Sequence, residues 1–489
     1  MDARDIDAIV RDVRTVLGGG PAAGWKRFDD PPPVAKPNVF LPATSRSSHQ
    51  GVFPDIATAY GAAAEAFAAF RNVSLATRFE IVESVRQTMR AHVEEISRLG
   101  AEETGLGRAA DKVQKNLLVT DKTPGPEILR PEAWSGDHGL MITEPAPYGV
   151  IGSITPSTNP SETVINNGIG MVAAGNAVVF NAHPSARRVT LRTLSLFNEA
   201  VVRAGGPPNL LTTCAEPSIE TAQELMRTAG IRLLVVTGGA GVVQAAFQSG
   251  KKVIAAGPGN PPVVVDETAD LEKAARDTVA SASLDNNIIC TSEKETFCVE
   301  SVVDALLAAM QRAGCVVLTA AQAAELRQQV LVEDRGPGKP GLIRRELIGK
   351  HAAVLLSRIG VRAGDAVRLA VYKAQADDPL VWTEQLMPVY PVVPVRDCAA
   401  AIDLAVRAEH GFGHTASMFS RNIDMLSEMA RRINTSIFVK NGPNFAGLGL
   451  GGEGYTSFTI ASPTGEGLTN ARHFSRWRRC TLVDHFRIV

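Results

Sequence analysis

Short apolar runs alternate with segments of helical periodicity from Tyr148 onward, and this alternation constrains the fold more than any other feature of the chain. The predicted buried strands are 149–155, 177–180, 231–237 and 252–256. The predicted helices lie over 161–174, near 186–204 and over 240–249. Strand and helix alternation at this spacing is typical of right-handed crossovers, so the sequence predicts a parallel sheet with helices on both faces.

A second α/β segment is predicted from about Pro261, with strands in the runs 262–266, 297–300 and 315–318 and helices near 270–284 and over 301–313. Two further segments with helical periodicity, 55–70 and 78–99, precede the first sheet. The predicted fold class is therefore α/β, with parallel sheets as its main elements.

Composition excludes several classes of protein. Among 489 residues, 45% are hydrophobic and 21% are charged, which is typical of a globular chain with a large core. The 50 Lys and Arg residues balance 51 Asp and Glu residues, so no dominant nucleic-acid surface is expected. No apolar run approaches the roughly 18 residues of a membrane span, and the charged first residues lack the apolar centre of a secretory signal. Six dispersed cysteines without a Cys-x-x-Cys pair favour a reduced, cytoplasmic protein.

Residues 1–17 are predicted to form a short amphipathic helix, and residues 18–37 form a Gly- and Pro-rich linker. The apolar side chains that share one helical face are Ile6, Ile9, Val10, Val13, Val16 and Leu17. A helix of this length is marginal by itself in water, so its apolar face needs a partner. The helix either folds back on its own globular body or binds an apolar groove of another protein.

Two predicted strand ends carry candidate ligand-binding residues. Thr155-Pro-Ser-Thr-Asn159 lies between a strand and the start of a helix, where open parallel sheets bind ligands. Asn159 is either a donor to an oxyanion or a plain helix cap. Thr237-Gly238-Gly239 follows another strand, and glycines there would admit a pyrophosphate or only form a tight turn.

Two later segments carry reactive side chains. Cys290 ends the segment Ser283-Leu-Asp-Asn-Asn-Ile-Ile-Cys, which is typical either of a loop that presents a thiol or of a buried hydrophobic cysteine. Glu384 precedes Gln-Leu-Met-Pro388 and would otherwise be a surface glutamate. His410 and His414 share a Gly-rich loop, but no third ligand stands at a suitable spacing, so no metal site is expected.

Taken in chain order, these four segments resemble the aldehyde dehydrogenase superfamily, and the resemblance spans residues from about 38 to 489. Within it, the chain is similar to the CoA-acylating propionaldehyde and acetaldehyde dehydrogenases of bacterial microcompartments. The segments that carry this similarity are TPSTNPSETVINN at 155–167, AGNAVVFNAHPSA at 174–186, KKVIAAGPGNPPVVVD at 251–266, SLDNNIIC at 283–290 and EHGFGHTAS at 409–417.

The resemblance implies a role for each candidate residue. Cys290 would be the nucleophile, Asn159 and the Cys290 backbone amide would form an oxyanion hole, and Glu384 would bind the nicotinamide ribose. The other implied cofactor-binding residues are Thr155, Pro156, Ser157, His183, Thr237, Gly238 and Gly239. The implied cofactor is NAD, with coenzyme A as co-substrate. His183 and the following Ala186 stand where hydrolytic members have a lysine and an acidic residue, so use of NADP stays open.

One departure from the hydrolytic members indicates the reaction. Their water-activating glutamate aligns with Ala256, and neither Ala256 nor Gly257 can accept a proton. The sequence therefore favours transfer of the acyl group from Cys290 to CoA. A hydrolytic dehydrogenase that releases free acid, and a non-catalytic packing protein of the microcompartment, are the alternatives.

The resemblance also implies an organisation for the whole chain. We expect an encapsulation-type helix over 1–17, a linker over 18–37, a dinucleotide-binding domain over 38–260, a catalytic domain over 261–448 and a returning tail over 449–489. The segment near 129–148 and the strand 481–489 should form an oligomerisation arm of a dimer or tetramer. The expected partners are a short-chain aldehyde, CoA and, through residues 1–17, shell or lumenal proteins, which places the protein in a microcompartment lumen.

Overall fold

The computed structural model describes residues 51–489. The predicted helix 1–17 and linker 18–37 lie outside these residues. The strands are β1 (Val52–Phe53), β2 (Glu132–Gly136), β3 (Gly139–Pro147), β4 (Val150–Ile154), β5 (Ala177–Asn181), β6 (Leu211–Cys214), β7 (Leu233–Thr237), β8 (Lys252–Ala256), β9 (Pro262–Val265), β10 (Glu295–Val299), β11 (Val316–Leu318), β12 (Leu331–Glu333), β13 (Leu342–Ile343), β14 (Ala370–Lys373), β15 (Val389–Val395), β16 (Thr415–Phe419), β17 (Ile437–Lys440), β18 (Ile460–Ala461), β19 (Gly467–Leu468) and β20 (Ser475–Val483).

The helices are α1 (Ile56–Phe70), α2 (Leu75–Ala91), α3 (Val93–Thr104), α4 (Ala109–Lys122), α5 (Pro160–Ala173), α6 (Arg187–Arg203), α7 (Ile219–Arg227), α8 (Ala240–Phe247), α9 (Leu271–Ala282), α10 (Glu300–Arg312), α11 (Ala320–Val330), α12 (Ala352–Ser357), α13 (Cys398–Ala408) and α14 (Ile423–Ile433). Within residues 51–489, no helix combines the length and apolar character needed to cross a membrane.

The first sheet has six parallel strands in the order β1-β6-β5-β4-β7-β8. Every residue of β4 and β5 is buried, as expected for a parallel sheet covered on both faces. The chain runs from β4 through β5 to β6 on one side and then returns to the other side of β4 with β7 and β8. The direction of strand order therefore reverses between β4 and β7, and ligands of open α/β sheets bind at such a reversal.

The second sheet has seven parallel strands in the order β11-β14-β15-β10-β9-β16-β17. Its central strands β9 and β10 are fully buried, and helices such as α13 pack against them. Only residues 257–261 separate the last strand of the first sheet from the first strand of the second. A five-residue connection therefore joins the edge strand β8 of the first sheet to strand β9 of the second. This connection contributes residues to the candidate site.

A third sheet is antiparallel and pairs distant parts of the chain. Its order is β2-β3-β20, with Ser475 opposite Pro147 and Val483 opposite Gly139. Most side chains of β2 and β20 are exposed, including Trp134 and Trp477. The predicted strand 481–489 is therefore wrong in its bounds, because the pairing with β3 begins at Ser475 and ends at Val483.

Residues 456–475 return to the first sheet and its helices. Phe458 N donates to Asn166 Oδ1 on α5 over 3.0 Å, and Asn176 Nδ2 donates to Phe474 O over 2.9 Å. The hydroxyls of Thr237 and Thr459 are 2.8 Å apart. The end of the chain is thus part of the body formed by the first sheet.

One predicted helix is divided in the structure, and the sequence analysis does not predict several elements, among them strand β6. The segment 78–99 is not one helix, because His92 leaves helical geometry (φ −110°, ψ 10°) and separates α2 from α3. Strand β6 was not predicted, because Thr212 and Thr213 interrupt its apolar pattern. Both threonines are buried, and the Thr212 hydroxyl donates to Ala59 O over 3.0 Å, which satisfies its polar group inside the core.

Candidate active site

A cavity of about 250 Å³ lies where β4 and β7 end. Loops from both large sheets and from the tail line it, including Gly257, Leu386 and Phe458. The predicted site residues that line this cavity are Pro156, Ser157, Asn159, His183, Thr237, Gly238, Gly239, Cys290 and Glu384. Residues separated by up to 228 positions in the sequence, from 156 to 384, therefore converge on one site at the reversal of strand order.

Thr155 differs from the other predicted residues. Its side chain is buried, and Thr155 is not among the residues that line the cavity. Its backbone N–H donates to Asn181 O over 3.2 Å, so Thr155 continues the pairing of β4 with β5. The cavity begins one residue later, at Pro156, and the prediction that Thr155 itself lines the cofactor cleft is not supported by this geometry.

Asn159 occupies the N-cap position of α5 but makes no side-chain capping hydrogen bond. Its Oδ1 instead accepts a hydrogen bond from Lys115 Nζ over 2.7 Å, and its Nδ2 donates to Thr158 Oγ1 over 3.2 Å. An amide NH₂ has two N–H donors, so one stays available to a ligand in the cavity. The interpretation as a plain helix cap is therefore wrong for this side chain.

The turn at Gly238 and Gly239 opens α8 toward the cavity. A Cβ on Gly238 would lie 2.8 Å from Val242 Cγ1, so a side chain is sterically disfavoured there. A Cβ on Gly239 would meet nothing within 4 Å, so this backbone faces open space. A glycine turn that leads into a helix N-terminus is suited to a pyrophosphate, because the backbone N–H groups are accessible.

Cys290 follows a loop with unusual backbone geometry. Asp285, Asn286 and Asn287 have positive φ values of 49°, 56° and 66°, a left-handed conformation that asparagine and aspartate tolerate better than most residues. Lys294 Nζ donates to Asn287 O over 2.9 Å and to Ile289 O over 3.3 Å. Lys294 Nζ also donates to Asn287 Oδ1 over 2.5 Å, so the buried ammonium group fixes both the backbone before Cys290 and one of its polar side chains.

The electrostatics around Cys290 favour the neutral thiol. Burial raises the pKa of Cys290 to about 12, the carboxylate of Glu384 contributes in the same direction, and Lys294 opposes both. Burial lowers the pKa of Lys294 to about 8 against the attraction of Glu384. The thiolate that attacks a carbonyl is therefore a minor species near neutral pH, and its fraction rises with pH.

Glu384 approaches the short connection between the two large sheets. Its Oε1 accepts a hydrogen bond from Gly259 N over 3.3 Å, and burial raises the pKa of its carboxyl group. Gly259 itself is tightly enclosed, because a Cβ there would lie 2.6 Å from Cys290 O. Gly259 therefore packs against both Glu384 and Cys290, and these two side chains line the cavity.

The position aligned with the water-activating glutamate is also resolved. Ala256 ends β8 and is buried, and it is not among the lining residues, whereas the next residue, Gly257, is. Among the described residues that line the cavity, the titratable side chains are those of His183, Cys290 and Glu384. The residues of this connection that line the cavity are Gly257 and Pro258, and neither side chain can accept a proton.

The two histidines of the Gly-rich loop have different surroundings. His410 Nε2 lies 2.9 Å from Trp382 O, and its ring contacts the rings of Trp382 and Phe412. His414 is buried with Nδ1 2.8 Å from Thr415 Oγ1, and burial lowers its pKa to about 4. Neither histidine lines the cavity, and within residues 51–489 no group of three or more His, Cys, Asp and Glu side chains could hold a metal ion.

Sequence reasoning missed a buried ionic cluster beside the cavity. It comprises Lys112 and Lys115 of α4, Glu162 of α5 and Asp285. The two lysines are three residues apart and so share a helix face, which was the available signal. Their acidic partners are far away in the sequence, so the pairing becomes visible only in the folded chain.

The fold and the cavity define an α/β protein in which a cysteine, an amide side chain and a glycine turn line one cavity at the edge of a parallel sheet. Residues 44–462 match the model of the aldehyde dehydrogenase family, and the chain belongs to this family. The chain is 51% identical to the acetylating acetaldehyde dehydrogenase EutE of Salmonella typhimurium, over 90% of this chain and 94% of that protein.

The fold is also similar to those of solved propionaldehyde dehydrogenases. The propionaldehyde dehydrogenase of the Clostridium phytofermentans fucose utilisation bacterial microcompartment has a TM-score of 0.87 and 41% identity, over 90% of this chain and 100% of that chain. The propionaldehyde dehydrogenase of Rhodopseudomonas palustris, determined with bound CoA and an acylated cysteine, has a TM-score of 0.86 and 44% identity, over 89% and 98% of the two chains.

Proposed function

We propose that this protein oxidises a short-chain aldehyde to the corresponding acyl-CoA, with NAD⁺ and CoA, through a thioester on Cys290. The observation that carries the proposal is the convergence of Cys290, Asn159 and Glu384 on one cavity, where Glu384 is the one carboxylate among the described lining residues. The similarity to acetylating and propionaldehyde dehydrogenases supports the same reaction class.

The reaction begins at Cys290. Its thiolate attacks the aldehyde carbonyl carbon, and the carbonyl oxygen becomes an oxyanion. The free N–H of Asn159 Nδ2 and the backbone amide of Cys290 donate to this oxygen, which stabilises the developing charge. Collapse of the adduct expels a hydride and leaves an acyl group on Cys290 Sγ as a thioester.

The chain offers suitable contacts for the dinucleotide. The backbone N–H groups at Gly238 and Gly239 would donate to a pyrophosphate at the start of α8. Pro156 and Ser157 would line the nicotinamide side. The carboxylate of Glu384 would accept a hydrogen bond from a ribose hydroxyl. Bound NAD⁺ supplies the acceptor for the hydride. His183 and Thr237 also line the cleft. The segment His183-Pro-Ser-Ala186 has no carboxylate that would repel the 2′-phosphate of NADP, so NAD is proposed as the main cofactor and NADP is also compatible with this segment.

Release of the acyl group requires a nucleophile. Water needs a base, and the connection through Ala256 and Gly257 supplies none. A partly ionised CoA thiol attacks the thioester carbonyl, Cys290 leaves as a thiolate, and acyl-CoA forms. The sum is aldehyde, NAD⁺ and CoA converted to acyl-CoA, NADH and a proton. The structure with CoA and an acylated cysteine from Rhodopseudomonas palustris supports this order of events.

The proposed function is tested by product analysis with aldehydes of increasing chain length. We expect acyl-CoA and NADH in equal amounts. The value of kcat/KM should be highest for a short aldehyde, and each methylene added to the aldehyde should change the free energy of transition-state binding by about 1–3 kcal/mol. Free acid with NADH would instead identify a hydrolytic dehydrogenase. Failure to form NADH with any aldehyde would support a non-catalytic packing protein.

We further propose that residues 1–17 bind a shell or lumenal protein and place the enzyme in a microcompartment lumen. The support is the apolar face of this segment in the sequence, the Gly- and Pro-rich linker after it and the microcompartment origin of a similar enzyme.

We also propose that the sheet β2-β3-β20 is an oligomerisation arm. Its two exposed tryptophans, Trp134 and Trp477, are the kind of side chain that a subunit interface covers.

Deletion of residues 1–17 is expected to leave activity in solution unchanged and to abolish co-sedimentation with shell assemblies. Burial of one aliphatic side chain contributes about 1.5–3 kcal/mol, so the loss of several removes most of a weak interaction. Ile9→Asp with Val13→Asp should reproduce the deletion, and Arg4→Ala with Arg11→Ala is the matched control on the polar face. Equal co-sedimentation of the truncated enzyme, or a Tm several degrees lower, would show that the segment packs on its own body.

A further inference from the structure

A buried ionic cluster lies directly behind the amide that faces the cavity. Lys115 Nζ is 2.9 Å from Glu162 Oε1 and 2.5 Å from Asp285 Oδ2, and Lys112 Nζ is 2.9 Å from the same Asp285 oxygen. The side chains of all four residues are at most 1% exposed. Two ammonium groups and two carboxylates balance, so the cluster can remain charged inside the protein.

Lys115 has a complete set of partners. An ammonium group has three N–H donors and no acceptor, and Lys115 Nζ has three oxygen neighbours, from Asn159, Glu162 and Asp285. Burial alone would lower the pKa of Lys115, but the carboxylates of Asp285 and Glu162 outweigh it and raise the pKa. Lys115 is therefore a fixed cation, and its position is determined by two carboxylates that belong to different parts of the fold.

This cation determines how Asn159 is oriented. Because an ammonium group only donates, the Asn159 side chain must direct its carbonyl oxygen, Oδ1, toward Lys115, 2.7 Å away. Rotation of the amide by half a turn would place two donors against each other. The Nδ2 group is thereby held on the opposite side, where one N–H reaches Thr158 and the other is available to the cavity.

The same cation contacts the loop that carries the nucleophile. Asp285 is the first of three successive residues with positive φ that lead to Cys290. Its Oδ1 accepts a hydrogen bond from Arg108 N over 2.7 Å, and its backbone N–H donates to Asp111 Oδ2 over 2.8 Å. Asp285 is thus fixed to α4 at several points, and Lys115 joins it to Asn159 through a single nitrogen atom.

We propose that Lys115 is a positioning residue, which orients the amide of Asn159 as the oxyanion donor and fixes the distance of that amide from the loop of Cys290. This inference rests on the proposed function, because Asn159 acts on the oxyanion of that reaction. Lys115 does not touch the reacting atoms and acts through Asn159. The sequence and the family resemblance assign it no role.

A double-mutant cycle on the pre-steady-state rate of NADH formation tests the proposal. Asn159→Ala should lower this rate by about 10²–10³-fold, as loss of an oxyanion donor does. Lys115→Met should lower it by about tenfold or more in the wild-type background and by less than about twofold in the Asn159→Ala background. Losses that multiply in the double variant would overturn the proposal, because a merely structural role does not depend on Asn159.

Lys112→Met is the matched control. Lys112 lies on the same helix, is equally buried and pairs with the same Asp285 oxygen, but it has no contact with Asn159. Any loss that this change causes should multiply with that of Asn159→Ala. If the Lys112 variant instead shows the same dependence on Asn159 as the Lys115 variant, the effect belongs to the charge of the cluster, and the assignment to Lys115 is wrong.

Removal of one member of a buried ion pair is destabilising, so a second variant is needed. Lys115→Met with Glu162→Gln keeps the cluster neutral and should show the same dependence on Asn159, while Cys290 keeps its rate of alkylation by iodoacetamide. Wild-type enzyme that forms NADH without acyl-CoA would reject the proposed function, and the cycle would still measure the action of Lys115 on Asn159. Absence of NADH formation by the wild type would reject both.

Discussion

Replacement of Cys290 by serine is expected to lower acyl-CoA formation by about 10³-fold or more, since loss of a catalytic nucleophile has effects of this size. A serine hydroxyl does not ionise near neutral pH, so it is a far weaker nucleophile than a cysteine thiolate. The glycine turn at Gly238 and Gly239 is untouched by the substitution, so the Kd for NAD⁺ should not change. Stopped-flow measurement of NADH formation and calorimetric titration with NAD⁺ check the two statements separately.

Cys480→Ser is the control for this substitution, because Cys480 is exposed on β20 and lies outside the cavity. Its turnover should match that of the wild type.

The pH dependence of the reaction of Cys290 with iodoacetamide gives a second check. Burial and Glu384 hold the pKa of Cys290 at about 12, so inactivation by iodoacetamide should rise continuously between neutral and alkaline pH. Near-wild-type turnover of the serine variant would remove Cys290 from the mechanism.

Omission of CoA is expected to stop the wild-type enzyme after one rapid release of NADH per active site. The acyl group then remains on Cys290, because neither Ala256 nor Gly257 activates water, and positioned general bases typically contribute about 10²–10⁴-fold. Steady-state turnover should fall by a similar factor. Rapid-quench experiments measure the amount of NADH released, and intact-protein mass spectrometry measures the amount of acylated enzyme. The two amounts should be equal.

The geometry of the connection supplies the matching gain-of-function variant. Gly257 faces the cavity and Ala256 does not, so Gly257→Glu is expected to increase acid release more than Ala256→Glu. A Cβ at position 257 lies 3.0 Å from Pro463 Cγ, so a small displacement of that proline is needed. Continuous acid production by the wild type without CoA would instead mean that another group activates water, and the titratable lining residues Glu384 and His183 are then the first to substitute.

Local patterns were sufficient to predict four of the six strands of the first sheet, β4, β5, β7 and β8, and the residues that follow them. The apolar runs at β4 and β7 are continuous, and a parallel sheet covered on both faces requires such runs, so the sequence alone places Asn159 and Gly238 just beyond strand ends. The strand β6 was missed because its buried threonines resemble a polar segment. The division between α2 and α3 was missed because His92 breaks helical geometry without a proline or glycine.

The arrangement inside the site could not be predicted in the same way. Lys115 and Asp285 are 170 positions apart in the sequence, and nothing in either local segment indicates that they meet. Thr155 belongs to a motif that predicts ligand contact, yet only the pairing of β4 with β5 shows that the cavity starts at Pro156. Periodicity determines which face of an element is buried, whereas contacts between buried polar groups depend on how the elements pack.

The return of residues 456–475 to the first sheet has a consequence for synthesis of the chain on a ribosome. Asn166, Asn176 and Thr237 are translated long before Phe458, Thr459 and Phe474, which complete their hydrogen bonds. Strand β3 likewise lacks its partner β20 until residue 483 has left the exit tunnel. A nascent chain can therefore form the β4–β8 strands early but exposes unpaired polar groups and a strand edge until translation ends, so premature termination even a few dozen residues from the end should yield an aggregation-prone product.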